Sequence, residues 1–366
     1  MKMVLVSFSE HPSLQNYMYL LAKNMTASGV ETYTVGSAKV QVPQHNSEKS
    51  MLVDTTERPT PSVSSFKKLK AALKRICMHI ESITPETIVF VSKHTWNVFL
   101  MMWLKRHVAT RIIHVYHDPL GHKGDRVRMA VIAYNWCCAR IADGIVVHSS
   151  KGYEDVKRVF KPRYLYNIPL GCCEWIDYRE NTHQSKKVLV FGRMNRYKGL
   201  ELLPELAVKL YEKDPDIKII VTGKKSSDLP DEVIVRMKEQ PNIVVSERYV
   251  PEEELNDIFY TSDLVLVMHT SITQSGVLLD AFRHSRPVIC FDIDGIHDYV
   301  KDERSLVQGF NLDEMANRVV TYLNDQRLSR EIALKAWEYG QSHFSDQIMA
   351  AQLLNAAKAM KQGDRK

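Results

Sequence analysis

Residues 188–201 read Val-Leu-Val-Phe-Gly-Arg-Met-Asn-Arg-Tyr-Lys-Gly-Leu-Glu. The apolar run ending at Phe191 predicts a strand. Gly192, Arg193, Arg196 and Lys198 then share a short loop before a helix pattern that begins at Gly199. Fixed cations beyond the carboxyl end of a strand, just ahead of a helix N-terminus, suit a bound anion, and a diphosphate is the obvious candidate. One cation–anion pair at about 4 Å contributes roughly 4 kcal/mol at an effective dielectric near 20, before desolvation. Arg193 and Lys198 together can therefore neutralise a diphosphate without a metal or other cofactor. Taken alone, the loop reads equally as a solvated basic turn.

A second constellation follows the predicted strand 264–268. Thr273, Gln274, Ser275 and Gly276 form a small polar loop that opens a helix. Its amides can face phosphate oxygens, and Gly276 permits close backbone approach. Asp280 lies four residues beyond Gly276, on the same helix face. A carboxylate there can accept hydrogen bonds from two ribose hydroxyls. The plainer reading is a capped helix with an incidental acid. In a third segment, His117 and Asp118 directly follow a strand, and His122 lies further along the loop. A histidine so placed can orient a sugar hydroxyl, although Asp118-Pro119 and Gly121 also favour an ordinary turn. His94, Trp96 and His148 read as structural. A fourth segment, 66–80, has Phe66, Leu69, Leu73, Ile76 and Ile80 at helical spacing, with Lys67, Lys68, Lys70, Lys74 and Arg75 around them. Such a helix either packs one face on a sheet or lies on an anionic membrane.

The elements that position these residues alternate. Strands are predicted at 2–8, 31–35, 87–92, 111–116 and 144–148, with helices at 12–28, 66–80, 96–107 and 125–141 between them. A polar stretch at 174–187 reads as a linker, after which the pattern restarts. Strands at 187–191, 217–222, 242–245, 264–268 and 288–291 alternate with helices at 199–212, 252–261 and 277–284, and helices at 312–324, 328–344 and 346–360 follow. This alternation means α/β architecture with mostly parallel sheets. We divide the chain at 1–173, 174–345 and 346–366, expecting two doubly wound domains facing a cleft, with ligands beyond the carboxyl ends of the strands.

Composition narrows the classes. The chain has 366 residues, 45% hydrophobic and 25% charged, with a formal charge of +6. It has no arginine-rich tract that would point to nucleic acid. No apolar run is long enough to span a bilayer, and residues 1–8 read as a strand rather than a leader. The six cysteines include the adjacent pairs 137–138 and 172–173 and show no CxxC spacing, so neither a zinc site nor a redox motif is indicated. The expected compartment is the cytoplasm.

With these motifs in order, the chain resembles the retaining GT-B glycosyltransferases of family 4, the glycosyl transferases group 1. Phe191-Gly192-Arg193 and Lys198-Gly199-Leu200 match that family's strand–Gly-Arg–loop–Lys-Gly-Leu–helix segment. Asp280-Ala281 before Arg286-Pro287-Val288-Ile289 resembles its helix ending in Glu-Ala before a Pro-Val strand. The stretch from Asp292 to Asp298 resembles the glycine-containing loop after it, and Ile168-Pro169-Leu170-Gly171 the end of the first domain.

The resemblance implies two Rossmann-like domains and a last helix that crosses back to the first. Arg193 and Lys198 would grip the diphosphate of a nucleotide-sugar donor and stabilise it as leaving group. Asp280 would hold the ribose, Arg248-Tyr249-Val250 would pass beside the base, and Ser275-Gly276 would meet phosphate. Thr273 and Gln274 would serve the sugar. His117 would sit near the transferred sugar, with His11 and Asp118 on the acceptor side. The partners implied are a nucleotide sugar and a glycan or lipid-linked acceptor, with peripheral contact to an anionic membrane and no nucleic acid. Two departures stand out. Counting back eight from Asp280 reaches Ile272, where the family has a second acid, and Ser7 to Ser13 replaces its glycine-rich first loop. A nucleotide-sugar 2-epimerase on the same scaffold and a non-catalytic sugar-nucleotide binder are the alternative readings.

Overall fold

Parallel sheets covered on both faces need strands that are apolar on both sides, and four of the four-residue strands here meet that demand. Thr-Ile-Val-Phe, Gly-Ile-Val-Val, Leu-Val-Leu-Val and Val-Ile-Cys-Phe are each buried at all four residues. The structure is a computed structural model. It describes residues 1–40, 49–55, 63–121, 128–171, 174–182, 184–272 and 274–363, with the side chains of 63–69 and 362–363 left out. The chain divides into two units, Met1–Cys173 with Ser345–Lys366, and Glu174–Phe344.

Among the described residues unit 1 holds seven strands: β1 (Lys2–Val6), β2 (Glu31–Ser37), β3 (Ser50–Val53), β4 (Thr87–Phe90), β5 (Arg111–Tyr116), β6 (Gly144–Val147) and β7 (Tyr164–Asn167). They are all parallel, in the order β3-β2-β1-β4-β5-β6-β7. Its helices are α1 (Pro12–Ala27), α2 (Val63–Ile83), α3 (Trp96–His107), α4 (Arg128–Ile141) and α5 (Ser150–Val159).

Unit 2 repeats the plan with β8 (Lys187–Phe191), β9 (Lys218–Thr222), β10 (Ile243–Ser246), β11 (Leu264–Val267), β12 (Val288–Phe291) and β13 (Leu306–Val307), parallel in the order β10-β9-β8-β11-β12-β13. Helices α6 (Leu203–Lys213), α7 (Asp231–Lys238), α8 (Leu255–Tyr260), α9 (Gly276–Arg283), α10 (Leu312–Asn324) and α11 (Gln326–Phe344) flank it. The last helix, α12 (Asp346–Gly363), packs in unit 1: Met349, Leu353, Ala357 and Met360 join the cluster of Met3, Leu5, Met18 and Leu21. Asn24 Nδ2 donates to Asp346 Oδ2 at 2.9 Å at the start of that helix.

Several elements escape the sequence reading for physical reasons. Helix α5 buries only Gly152 and Val156, too thin a stripe to register as a period, and is started by the Ser149 cap on the Gly152 amide (3.1 Å). Helix α7 is eight residues long and β13 two. Strand β7 is a half-exposed edge, and β3 is the opposite edge. The helix expected from Gly199 starts at Leu203 instead, because Gly199 takes a left-handed φ of 69° and two 3-10 turns intervene.

The basic helix α2 spends its apolar stripe at home. Ile76, Cys77 and Ile80 are buried in the unit 1 core, while Lys70, Lys74 and Arg75 are exposed. The side chains of Phe66, Lys67, Lys68 and Leu69 lie outside the described residues. Among the described residues no helix is long and apolar enough to cross a membrane.

Candidate active site

In unit 2 the chain order reverses direction between β8 and β11, which lie side by side at the centre of the sheet. Connections leave these two strands toward opposite edges, so a crevice opens beyond their carboxyl ends. The two loops singled out from the sequence are those that leave β8 and β11.

The β8 loop is shaped by glycine. Gly192 has φ 96°, and a Cβ built on it would lie 2.7 Å from Lys198 Nζ and 3.2 Å from Val277 Cγ2. The bare backbone of Gly192 is therefore what allows Lys198 and the start of α9 to approach one another. Gly199 fixes the other end: its missing Cβ would fall 2.1 Å from the Met268 carbonyl oxygen, at the exit of β11. Between these contacts Lys198 turns inward. It is 8% exposed, and its Nζ donates to the Phe191 carbonyl at 3.2 Å. Burial first, then the charge of Arg193, lowers its pKa to about 8, while the Asp280 carboxylate acts the other way. Arg193 is exposed at the mouth of the same loop.

On the β11 side, Ser275 caps α9. Its hydroxyl accepts from the Leu278 amide at 3.3 Å and is turned away from solvent, so only its backbone is available to a ligand. Gly276, at the first turn, is exposed, with nothing within 4 Å of a built Cβ. Asp280 lies inside the site. Desolvation raises its pKa to about 6 against the opposing charge of Arg283, whose Nε donates to Oδ1 at 3.1 Å. The expectation of a carboxylate open on both oxygens is thus modified: one oxygen already has a partner. Ile272 is 4% exposed and packs on Gly295, its carbonyl 3.1 Å from where that glycine's Cβ would be. It belongs to the packing of the loop. Tyr249 is 66% exposed and Val250 buried, so of this pair only the tyrosine ring is offered to a ligand. Gln274 is half-buried; Thr273 lies outside the described residues.

Unit 1 has its own reversal between β1 and β4. His117, just after β5, donates from Nε2 to the Val91 carbonyl at 2.9 Å. A carbonyl only accepts, so Nε2 carries a proton. Its ring leans on His148 (5.2 Å) and Tyr17 (5.4 Å). His148 is itself fixed between the Ile168 carbonyl (2.7 Å) and the Tyr17 hydroxyl (3.1 Å), and burial lowers its pKa to about 3. Asp118 is half-buried in the turn after His117; His122 lies outside the described residues. His11 is exposed at the N-cap position of α1, its amide on the Ser9 hydroxyl at 3.1 Å. Among the described residues no group of three or more His, Cys, Asp or Glu side chains is arranged to hold a metal.

Residues 185–325 match the family described as Glycosyl transferases group 1. That match lies wholly within unit 2. The chain is 27% identical over 181 residues to the poly(ribitol-phosphate) alpha-N-acetylglucosaminyltransferase of Staphylococcus aureus, a stretch covering 47% of this chain and 35% of that one. The chain spans less than half the length of the curated relatives it matches. Over its whole length the fold is that of sucrose-phosphate synthase from Thermosynechococcus elongatus (TM-score 0.75, 16% identity, 99% of this chain and 100% of that one). HepE from Anabaena, solved with UDP and glucose, is similar (TM-score 0.72, 14% identity, 98% and 99%). The fold class is therefore GT-B, with two Rossmann-like parallel sheets.

Unit 2 also holds a residue that sequence reasoning missed. His269 follows Met268 at the exit of β11. It is 5% exposed, and among the described residues neither ring nitrogen has a hydrogen-bond partner; Nδ1 is fully enclosed. The only signal in the sequence is a polar residue one position past an apolar strand, which any loop supplies.

Proposed function

We propose that the protein transfers a sugar from a nucleotide-diphosphate donor to a hydroxyl of a glycan or lipid-linked acceptor, with retention and without a metal. The observation that carries this reading is Lys198. It is a buried ammonium at the switch point of unit 2, beside Arg193 and Asp280 and against the start of α9. Burying a cation with one carbonyl acceptor is costly unless an anion completes the site. Arg193, Lys198 and the amides at Ser275-Gly276 would hold the donor diphosphate, and Asp280 the ribose. The relative acting on poly(ribitol-phosphate) and the UDP bound to HepE favour a polysaccharide-type acceptor and a UDP-type donor.

In the reaction the bond from the anomeric carbon to the diphosphate oxygen breaks, and the electron pair leaves with the diphosphate. The acceptor oxygen bonds to the same face of that carbon, and its proton passes to the departing phosphate. The cations and amides are already aimed at the charge that develops, which is electrostatic catalysis by prearranged groups. No enzymic nucleophile is required. His117 would orient a hydroxyl of the transferred sugar, with His11 and Asp118 toward the acceptor. Incubation with UDP-, GDP- and ADP-sugars and a polyol-phosphate or glycan acceptor tests the reading. We expect one donor to yield an anomer-retained product by NMR. Turnover of no donor, or donor turnover that is acceptor-independent and gives an isomerised nucleotide sugar, would overturn it.

The same assay carries a pH prediction. Below about pH 6 Asp280 takes a proton and loses acceptor capacity; above about pH 8 Lys198 loses its charge. The profile of kcat/KM against pH is then a bell with limbs near 6 and 8, falling about tenfold per unit outside them. In Lys198→Arg the alkaline limb disappears, because a guanidinium stays charged.

A further inference from the structure

We propose that His269 is a donor-contacting residue whose imidazole N–H binds an oxygen of the diphosphate held by Lys198. The inference rests on the reading above and adds a residue to that same site.

The position of the ring is fixed from both sides. Met268, before it, presses its carbonyl against Gly199. Thr270, after it, sends both its amide (2.8 Å) and its hydroxyl (3.1 Å) to the Tyr197 carbonyl. The Tyr197 ring stands edge-on to the imidazole at 5.6 Å. Since Lys198 is the next residue along, His269 is pinned against the cation loop by backbone contacts that do not depend on its side chain. The ammonium of Lys198 is near enough to disfavour a second charge, and with burial as the larger cause the imidazole pKa falls to about 3. His269 is therefore neutral, with one nitrogen bearing hydrogen and one bearing a lone pair.

Nδ1 is enclosed with no partner. A buried N–H left unpaired is rarer and more costly than a buried lone pair left unpaired, so the hydrogen belongs on Nε2. An N–H beside a buried ammonium is a donor beside a cation, and what both lack is an anionic oxygen. An apolar side chain here would pack without the roughly 1–3 kcal/mol cost of an unsatisfied polar group. The histidine thus offers, beside the ammonium, an Nε2 hydrogen that a diphosphate oxygen would accept.

The test measures binding of UDP, GDP and ADP, with UMP beside UDP, by calorimetry on the full chain. For the nucleoside diphosphate that binds best, His269→Phe should lose about tenfold in affinity, with much less lost for the monophosphate. It should melt at or above the parent, because it removes an unpaired polar group. His269→Gln, which keeps an N–H on a planar side chain, should recover part of the loss. Equal affinity of parent and His269→Phe would overturn the inference while leaving the nucleotide-sugar reading intact. A parent that binds none of the diphosphates would overturn both. A monophosphate loss as large as the diphosphate loss would mean that the histidine serves only the packing of the loop.

Discussion

Lys198→Met lowers kcat/KM for sugar transfer by about three orders of magnitude and leaves the protein at least as stable as its parent. The first half follows from what the ammonium does. A prearranged charged donor aimed at a developing oxyanion typically accounts for 10²–10³ in rate, and on the proposed reading the same group would also bind the ground-state diphosphate. The loss should therefore be divided between kcat and KM, whereas loss of binding common to ground and transition states would raise KM alone. The second half follows from linkage. The folded pKa of Lys198, about 8, lies below its ordinary 10.5, so the folded protein holds this proton less tightly than the unfolded chain. The resulting penalty is fully present below pH 8 and is relieved as pH rises from 8 toward 10.5. Methionine keeps the buried stem and removes the charge. At pH 7 the variant should melt at or above the parent, and the difference should shrink as pH rises past 8. A variant that lost activity and several degrees of Tm together would assign Lys198 to the structure of the loop and not to the chemistry.

This split between stability and activity is invisible in the sequence, where Lys198 looks like any lysine in a basic turn. What could be read was the order of parts. An apolar run followed by Gly192, Arg193 and Lys198, and a second one followed by a small polar loop and Asp280, identify both loops at the switch point, because strand ends and glycines are local signals. What could not be read were consequences of the third dimension. The burial of Lys198 depends on Gly192 lacking a Cβ 2.7 Å from its Nζ. The engagement of Asp280 depends on Arg283, three residues on and one helical turn away. His269 has no motif at all; its place beside the cation loop comes from the Met268 and Thr270 backbone meeting Tyr197 and Gly199. Ile272 illustrates the opposite case. The sequence marks it as a missing acid, and the structure gives its side chain ordinary packing work against Gly295. The fold shows the same limit. The alternation of strands and helices was legible from uncharged runs such as Leu264–Val267, whereas α5 and α7 bury so few residues that their period is lost in polar surroundings.

Gly199→Ala should be a severely damaging single methyl at the candidate site. The residue has φ 69°, where an L-residue costs about 1–2 kcal/mol, but the larger problem is space. The new Cβ would stand 2.1 Å from the Met268 carbonyl oxygen and 3.2 Å from its carbon. Both are backbone atoms at the exit of a central strand, so neither yields by a rotamer change. Relief requires moving the cation loop away from β11, which drags Lys198 from its place by Gly192 and separates Tyr197 from Thr270 and His269. We expect a loss of about 4 kcal/mol, in the range reserved for severe backbone or packing conflicts. For a domain of this size that is a fall in Tm of roughly 10 °C, with transfer activity lost even at temperatures where the protein is still folded. Gly276→Ala is the matched control, since nothing lies within 4 Å of its built Cβ and its φ is not in the left-handed region. That variant should melt within about 0.5 kcal/mol of the parent. Differential scanning calorimetry of the two variants decides the matter. If Gly199→Ala melts with Gly276→Ala, the contact between the cation loop and the end of β11 does not hold the site together, and the geometry that brings Lys198 and His269 side by side loses its main support.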